Sequence, residues 1–324
     1  MPCGVNSNFC IGKTLLDVKG LTVNYGNVTA LHPLDMDIKA GEILGLLGPN
    51  GAGKTSFIKA LCGRTTNWSG DVSIDGITIK HGDDRRQLIG LVPQEIALYP
   101  HMTALENLTV FASMMGLSKS DGAKAAEDAL RAVGLEDKAN ERVTNLSGGM
   151  KRRINVGCAV MHNPKLIILD EPTAGVDHPA RDSIHKIARE LANSGLAILL
   201  VTHELERAEA ICDRILVLNK GRKLAFDTPV SVLNKLFADT REVHIRFGIA
   251  PDEDINTVLN KFSFKPTDVE TVWTTMTNQS EADFVSAFMV ALKDDTPLVR
   301  EISVRRPGLP TLMHFIQKRE LDRC

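Results

Sequence analysis

The sequence predicts an α/β fold built on a parallel sheet, with an antiparallel β subdomain, a helical subdomain and a small C-terminal α+β domain. A glycine-rich loop stands between a short apolar run, residues 43–47, and an apolar stretch at helical spacing, residues 57–62. From Lys165 onward apolar strands alternate with helices, which is typical of a parallel sheet with crossover helices. After Asp239 shorter strands and helices alternate around what we expect to be a second, modest core. We therefore expect three segments: a loose arm over 1–14, an α/β domain over 15–239 and an α+β domain over 240–324.

Composition limits the classes of protein that this chain resembles. It has 324 residues, 43% of them hydrophobic and 24% charged, which is ordinary for a globular protein of about two domains. The net charge of −2 gives no bulk attraction to nucleic acid. The longest apolar runs, such as 196–201, have the length of a strand, whereas a membrane span needs about 20 apolar residues. We expect the chain to reach a membrane only through another protein.

The six cysteines show no Cys-x-x-Cys pair and no zinc spacing, which fits a reducing compartment. Residues 1–13 lack a basic segment followed by an apolar one, so we predict no export signal.

The predicted elements of the larger domain begin with β structure. A hairpin turns at Asp75-Gly76, and a capping box of Thr103 and Glu106 opens the first helix after it. The predicted strands are 15–18, 21–24, 34–38, 71–79, 166–169, 198–201 and 214–218. The predicted helices are 103–115, 120–133, 180–194, 205–212 and 230–237.

The C-terminal segment is predicted to hold three strands, 243–247, 269–275 and 298–304, and three helices, 255–262, 281–292 and 309–320. Its independent pattern of strands and helices is the only basis for our hypothesis that it regulates the larger domain or supports a dimer.

The glycine-rich loop has the spacing G-x-x-x-x-G-K-[ST] of a phosphate-binding loop. It reads Gly48-Pro49-Asn50-Gly51-Ala52-Gly53-Lys54-Thr55-Ser56. An ordinary glycine turn before a helix is the alternative, but the flanking strand and helix favour a nucleotide site. Backbone N–H groups and the helix N-terminus would surround the phosphates. Lys54 would bridge the β- and γ-phosphates, and the Thr55 hydroxyl would bind Mg²⁺.

Polar side chains follow three further strands that end at the same edge of a parallel sheet. Asp170 and Glu171 come directly after the apolar run 166–169, where Asp170 would reach Mg²⁺ and Glu171 would orient the attacking water. His203 follows the next strand and would contact the γ-phosphate. Gln94 follows another strand-like run, and spacing alone does not separate a site residue from a turn residue there.

A second anion site is predicted at Ser147-Gly148-Gly149, where a capping serine and exposed N–H groups precede a helix. Two anion sites in one chain indicate either two nucleotides or one nucleotide shared between two chains.

Together these motifs resemble the ATP-binding subunit of an ABC transporter over about residues 15–235. The resemblance identifies 48–56 as Walker A, 166–171 as Walker B with the catalytic glutamate, and 146–150 as the signature, with Met150 in place of glutamine. It places Gln94 in the Q-loop, as a catalytic residue and Mg²⁺ ligand, and His203 at the switch histidine. It also places Asp177 in the D-loop and Tyr25 against adenine.

The resemblance implies a P-loop NTPase core with a helical signature subdomain, ATP and Mg²⁺ as cofactors, and a homodimer that sandwiches two ATP molecules. It implies a separate integral membrane permease, a peripheral place on the cytoplasmic face of the inner membrane, and similarity to the ABC-2 type drug and antibiotic exporters.

The alternative is a soluble ABC ATPase that acts on ribosomes or DNA. The single phosphate loop, the lack of heptads and the net charge disfavour it, and we expect no nucleic-acid partner. A nucleotide kinase or GTPase would leave residues 146–150 unexplained.

Overall fold

The structure, a computed structural model, describes residues 12–292 and 298–321. The chain divides into two compact units, residues 1–229 and 230–324. Residues 1–11 of the predicted loose arm lie outside the described residues. Thr14, which we assigned to the arm, is instead the first residue of a strand, because it pairs with Lys39.

The described elements of the first unit are ten strands, six α-helices and two short 3₁₀ helices at Glu136–Lys138 and Val143–Asn145. The strands are β1 (Thr14–Tyr25), β2 (Val28–Lys39), β3 (Ile43–Leu47), β4 (Trp68–Ile74), β5 (Ile77–Thr78), β6 (Ile89–Val92), β7 (Leu166–Asp170), β8 (Ala197–Val201), β9 (Arg214–Asn219) and β10 (Arg222–Asp227). The helices are α1 (Lys54–Leu61), α2 (Ala104–Met114), α3 (Lys119–Ala132), α4 (Gly148–Val160), α5 (His178–Asn193) and α6 (Leu205–Ile211).

The second unit contributes four strands and four helices among its described residues. The strands are β11 (Arg241–Phe247), β12 (Lys265–Pro266), β13 (Val272–Thr277) and β14 (Val299–Arg305). The helices are α7 (Pro229–Phe237), α8 (Glu253–Lys261), α9 (Glu281–Leu292) and α10 (Leu309–Leu321).

The central sheet of the first unit has the strand order β10-β9-β3-β8-β7-β6. Five of its strands are parallel, and β10 pairs antiparallel with β9. Every residue of β3 and β8 is buried, which explains their uninterrupted apolar sequences, since both faces of such a sheet are covered. The carboxyl ends of β3, β6, β7 and β8 therefore meet at one edge. The predicted α/β class with a parallel sheet is confirmed.

A separate antiparallel sheet has the order β2-β1-β4-β5. Its long β1–β2 hairpin merges the short strands that the sequence predicts, because bulges let one strand continue where the apolar alternation breaks. The hairpin at Asp75-Gly76 is confirmed, with Ile74 paired to Ile77. Side chains of this sheet, such as Leu16, pack with Leu44 of β3 and the fully buried Phe57 of α1 in one core. Burial of a side chain like Phe57 contributes about 1.5–3 kcal/mol.

One arginine joins the two sheets of the first unit. Arg214, at the start of β9, donates hydrogen bonds to Asp37 of β2 at 3.0 and 3.1 Å and to Glu42 at 2.5 and 2.9 Å. These carboxylates raise the pKa of Arg214, with the hydrogen bond to Glu42 the largest cause. Because Glu42 directly precedes β3, the network fixes the strand that carries the phosphate loop.

Helices α2, α3 and α4 form the helical part of the first unit. The predicted capping box is present: the Glu106 N–H donates to Thr103 Oγ1 at 3.1 Å, and the Thr103 N–H donates to Glu106 Oε2 at 2.8 Å. Fully buried Asn107 ties this helix to the preceding loop, since its side chain bonds both backbone groups of Tyr99.

The second unit has a four-stranded antiparallel sheet in the order β12-β13-β11-β14. With helices after β11 and β13, this is the split βαβ arrangement also called ferredoxin-like. Val243, Ile245 and Phe247 of β11 pack with α8 and α9, and Phe288 anchors that core. The two-residue β12 was not predicted, and β13 begins at Val272 rather than at residue 269, since Val269 lies in the preceding turn.

Candidate nucleotide site

The phosphate loop connects β3 to α1 with a backbone that only glycine accepts at several positions. Gly48 has φ +154°, and a Cβ there would stand 2.3 Å from the Leu218 carbonyl oxygen. Gly53, the N-cap of α1, has φ +101°, and its Cβ would stand 2.7 Å from the Ala30 oxygen. The sequence folds into this loop because glycine has no Cβ to meet those carbonyls.

Lys54 is held by the loop that precedes it. Its Nζ donates to the carbonyl oxygens of Gly48 at 2.5 Å and Pro49 at 3.0 Å. Burial lowers the pKa of Lys54, and the nearby carboxylates of Glu171 and Asp170 oppose that shift. Among the described residues the Lys54 ammonium group is hydrogen-bonded to two loop carbonyls and forms no direct ion pair with a carboxylate, so it is suited to an incoming anion.

Two carboxylates face Lys54 from the end of β7. Burial raises the pKa of Asp170, against the opposing charges of Lys54 and His203. Burial also raises the pKa of Glu171, although His203 and Lys54 favour its ionised form. Glu171 adopts the left-handed region at φ +48°, and its N–H donates to the Val201 carbonyl at 2.9 Å. A non-glycine residue held in this region is frequent at functional sites.

His203 follows β8 and contacts Glu171. Its Nε2 lies 3.1 Å from Glu171 Oε1, and its backbone N–H donates to Oε2 at 3.2 Å. The Glu171 side chain is 12% exposed and that of His203 is 60% exposed. The Nε2 contact lacks hydrogen-bond alignment, so the buried Oε1 has no aligned donor among the described residues. Oε1 is therefore a buried acceptor that can take a hydrogen bond from a bound water or ligand.

These residues line one cleft of about 630 Å³, within the usual range for small-molecule sites. The predicted residues on its wall are Tyr25, Asn50, Gly51, Ala52, Gly53, Lys54, Thr55, Ser56, Gln94, Asp170, Glu171 and His203. Gly48 and Pro49 are not on the wall, but their carbonyls hold Lys54. Tyr25 is 40% exposed at the mouth.

Six further residues of the cleft wall were not predicted as site residues: Val28, Thr29, Ala30, Val201, Lys220 and Gly221. They come from the start of β2, the end of β8 and the β9–β10 turn. Gly221 is hydrogen-bonded to both Ala52 and His32 through its backbone. The only local signal was the pair Lys220-Gly221, a turn dipeptide between apolar runs.

Ser147, Gly148, Gly149 and Asp177 do not line this cleft. Ser147 is the N-cap of α4 and accepts from the Met150 N–H at 3.2 Å, as its predicted capping role requires. Asp177 caps α5 in the same way, accepting from the Ala180 N–H at 3.1 Å. Gly149 lies so close to α5 that a Cβ would stand 2.4 Å from the Ala180 Cβ. Ser147 and Asp177 are exposed on the surface of the unit.

The cleft fits a magnesium ion bound together with phosphates. Thr55, Gln94 and Asp170 bring hydroxyl, amide and carboxylate oxygens to one wall, and such oxygens are the ligands that Mg²⁺ prefers. Among the described residues no group of three or more His, Cys, Asp or Glu side chains is arranged to hold a metal. Mg²⁺ usually takes only one or two carboxylates from a protein and completes its shell with phosphate and water.

The family model described as ABC transporter matches residues 31–174. The linearmycin resistance ATP-binding protein LnrL of Bacillus subtilis (strain 168) is 40% identical over 227 residues, 70% of this chain and 73% of that protein. The chain belongs to the ABC transporter family, as an ATP-binding subunit.

Other members give the same result. The Nod factor export ATP-binding protein I of Ralstonia nicotianae is 39% identical over 72% of this chain and 74% of its own length. Among solved structures, cbiO1 of Clostridium perfringens, part of an ABC transporter complex, superposes with a TM-score of 0.63 at 27% identity, covering 77% of this chain and 96% of that one. The predicted family and its P-loop ATPase fold are confirmed, and the cleft is that of an ATP-binding protein from a family of ATPases.

Proposed function

We propose that this ATP-binding subunit hydrolyses ATP in the cleft and thereby powers export by a separate membrane-spanning chain. The observation that carries the proposal is the convergence of Lys54, Asp170, Glu171 and His203 on one wall. The relatives named for linearmycin resistance and Nod factor export support the exporter assignment. Those names do not favour a soluble ATPase that acts on ribosomes or DNA.

The geometry supports a division of roles at the cleft. Loop N–H groups and Lys54 bind the β- and γ-phosphates, and Tyr25 packs on adenine. Glu171 accepts a proton from the attacking water through its buried Oε1, while His203 holds the carboxylate and approaches the γ-phosphate. Mg²⁺, bound by Thr55, Asp170 and Gln94, would neutralise charge on the phosphate oxygens.

The signature residues are proposed to act on a second copy of the chain. Ser147, Gly148, Gly149 and Asp177 lie outside the cleft of their own chain, so we propose that they contact ATP in the cleft of a partner subunit. A solved ATP-binding cassette at 29% identity and a TM-score of 0.58, covering 66% of this chain and 98% of that one, is a dimer bound to ADP and Pi, which supports a homodimer.

The membrane part of the proposal requires another protein. None of the described helices has both the length and the apolar character of a membrane-spanning segment. We propose a peripheral position on the cytoplasmic face of the inner membrane, held by a permease subunit, with no nucleic-acid partner. Recovery of a permease with the tagged chain from detergent-solubilised membranes tests this, and recovery of ribosomes or DNA alone would contradict it.

Glu171→Gln tests the chemistry. We expect ATP binding to persist, hydrolysis to fall by about 10²–10⁴-fold because the proton acceptor is lost, and an ATP-dependent dimer to accumulate on gel filtration. The matched control is Glu136→Gln, an exposed acid remote from the cleft wall. A Glu171→Gln protein that hydrolyses ATP normally and stays monomeric would refute the assignment.

A further inference from the structure

Arg152 is a buried arginine on α4 that the cleft does not include. It is 3% exposed, and its side chain runs to the loops that follow β6 and β7. Nη1 donates to the Pro93 carbonyl at 2.8 Å, Nη2 donates to the Gln94 carbonyl at 2.6 Å, and Nη2 makes a longer contact of 3.5 Å with the Ala174 carbonyl. One guanidinium thus touches the main chain of two separate loops.

Burial of the Arg152 guanidinium costs free energy of folding. Burial alone lowers its pKa, its Nε has no hydrogen-bond partner, and no carboxylate pairs with it in the described part of the chain. A buried charge that is satisfied only by carbonyl dipoles stabilises a fold less than an apolar side chain of similar size would. Such a residue is a candidate for a functional role.

The two loops that Arg152 contacts both carry site residues. The carbonyl of Gln94 accepts from Arg152 while Gln94 lines the cleft. Ala174 belongs to the turn that starts at Glu171, since its N–H donates to the Glu171 carbonyl at 3.1 Å. Arg152 therefore sits behind the cleft and holds the backbone from which Gln94 projects, with a weaker hold on the turn after Glu171.

The same helix presents Ser147 at its N-terminus. Arg152 lies five residues further along, roughly 7.5 Å along the axis at 1.5 Å per residue. The hydrogen bonds of Arg152 join the loop at Gln94 directly to α4. α4 also packs closely on α5, where a Cβ on Gly149 would stand 2.4 Å from the Ala180 Cβ.

We propose that Arg152 is a positioning residue that fastens the Gln94 loop and the turn after Glu171 to the signature helix, so that occupancy of the cleft and presentation of Ser147 to a second copy are coupled. This inference rests on the proposed function. It assigns Arg152 no contact with ATP. Its role is to set the place of Gln94 and Glu171, for which a displacement of about 1 Å can cost about 10²-fold in rate.

The neighbouring Arg153 is a matched control. It is on the same helix and donates Nη1 to the carbonyls of Val133 and Gly134 at 3.2 and 3.3 Å, at the end of α3. Arg153→Gln releases two carbonyls, as Arg152→Gln does, but these carbonyls are remote from the cleft wall.

The kinetic experiment compares full-length Arg152→Gln, Arg152→Lys and Arg153→Gln with the parent chain. We expect Arg152→Gln to lower kcat by about tenfold or more with KM for ATP within about twofold, Arg152→Lys to be intermediate because it reaches one carbonyl at a time, and Arg153→Gln to stay within about twofold. In a Glu171→Gln background, Arg152→Gln should raise the ATP concentration needed for dimer formation by about tenfold. The inference would be overturned if kcat in all three variants fell only in proportion to their melting temperatures. A normal kcat in Arg152→Gln would also overturn it.

Hydrogen exchange without nucleotide gives a second readout that needs no hydrolysis. We expect faster exchange in segments 93–97 and 171–176 of Arg152→Gln and unchanged exchange there in Arg153→Gln. Unchanged exchange in Arg152→Gln would refute the positioning role. If the parent chain fails to hydrolyse ATP while this exchange pattern is seen, the proposed function fails and the fastening by Arg152 stands.

Discussion

The backbone N–H of His203 donates to Oε2 of Glu171, so that the end of β8 orients the carboxylate at the end of β7. The imidazole adds a second contact, with Nε2 3.1 Å from Oε1. Two neighbouring strands therefore determine the direction of one acid. The backbone N–H remains in every substitution of the histidine except proline, which separates the effect of the imidazole from that of carboxylate orientation.

We expect His203→Ala to reduce kcat by about 10²-fold while ATP affinity changes little, because the carboxylate keeps its backbone donor but loses the imidazole beside the phosphate. Steady-state hydrolysis and equilibrium ATP binding measure the two effects. His101→Ala, at an exposed histidine, is the control and should behave like the parent chain. A loss of affinity with an unchanged kcat would show that His203 acts in ground-state binding instead.

Lys54→Ala removes the ammonium group that the loop holds over the cleft. A charge-assisted contact contributes about 1.5–3 kcal/mol, so ATP affinity should fall by about 10–150-fold. Calorimetric titration with ATP measures it. Lys59→Ala, on the exposed side of the same helix, should leave affinity unchanged. Unaltered affinity in Lys54→Ala would contradict a phosphate role for this residue.

The pH dependence of hydrolysis should reflect the raised pKa of Glu171. Glu171 accepts a proton only when ionised, and the ionised fraction falls as the pH drops through its folded pKa. Because burial raises that pKa, the acid limb of kcat/KM should lie above the value of about 4.3 for a solvated glutamate. The limb should persist in His203→Ala and be absent from the residual activity of Glu171→Gln. An acid limb with an apparent pKa at or below that of a solvated glutamate would count against burial of the Glu171 carboxylate.

Met150→Gln should leave kcat within about twofold, since Ser147 caps α4 through the Met150 backbone N–H, which no side chain at this position alters. Gly149→Ala is the sensitive comparison. A Cβ there would stand 2.4 Å from the Ala180 Cβ, so α4 and α5 would have to separate, and ATP-dependent dimer formation should weaken. Gel filtration in the Glu171→Gln background compares dimer formation by the two variants. A large increase in kcat from Met150→Gln would show that the methionine limits hydrolysis.

The parts of the site that sequence analysis could predict are local. The phosphate loop is a contiguous pattern, and Asp170-Glu171 follows an apolar run that ends in a turn. Gln94 could not be assigned from spacing, because its place on the cleft depends on β6 lying beside β7 at the edge of the sheet. The prediction that Ser147 serves a second copy remains a prediction.

Long-range pairing explains what the sequence analysis missed. Thr29 and Gly221 reach the cleft because two hairpins from distant parts of the chain meet the phosphate loop. Strand β10 was not predicted because its exposed first half, from Arg222, lacks apolar alternation at the sheet edge. In the sequence Arg152 is one of three consecutive basic residues, 151–153, and only the folded chain shows that it is buried.

The strands of the first unit and those of the second unit occupy separate ranges of the sequence, which affects how the chain folds during translation. Within the described residues, every strand of the first unit lies between Thr14 and Asp227, whereas β11 waits for β14, which starts at Val299. Domains generally fold as units while the ribosome is still adding residues. The strands of the ATP-binding unit can therefore pair on a nascent chain while the C-terminal sheet still lacks its last strand. A translation product truncated near residue 240 keeps every backbone partner that the cleft requires.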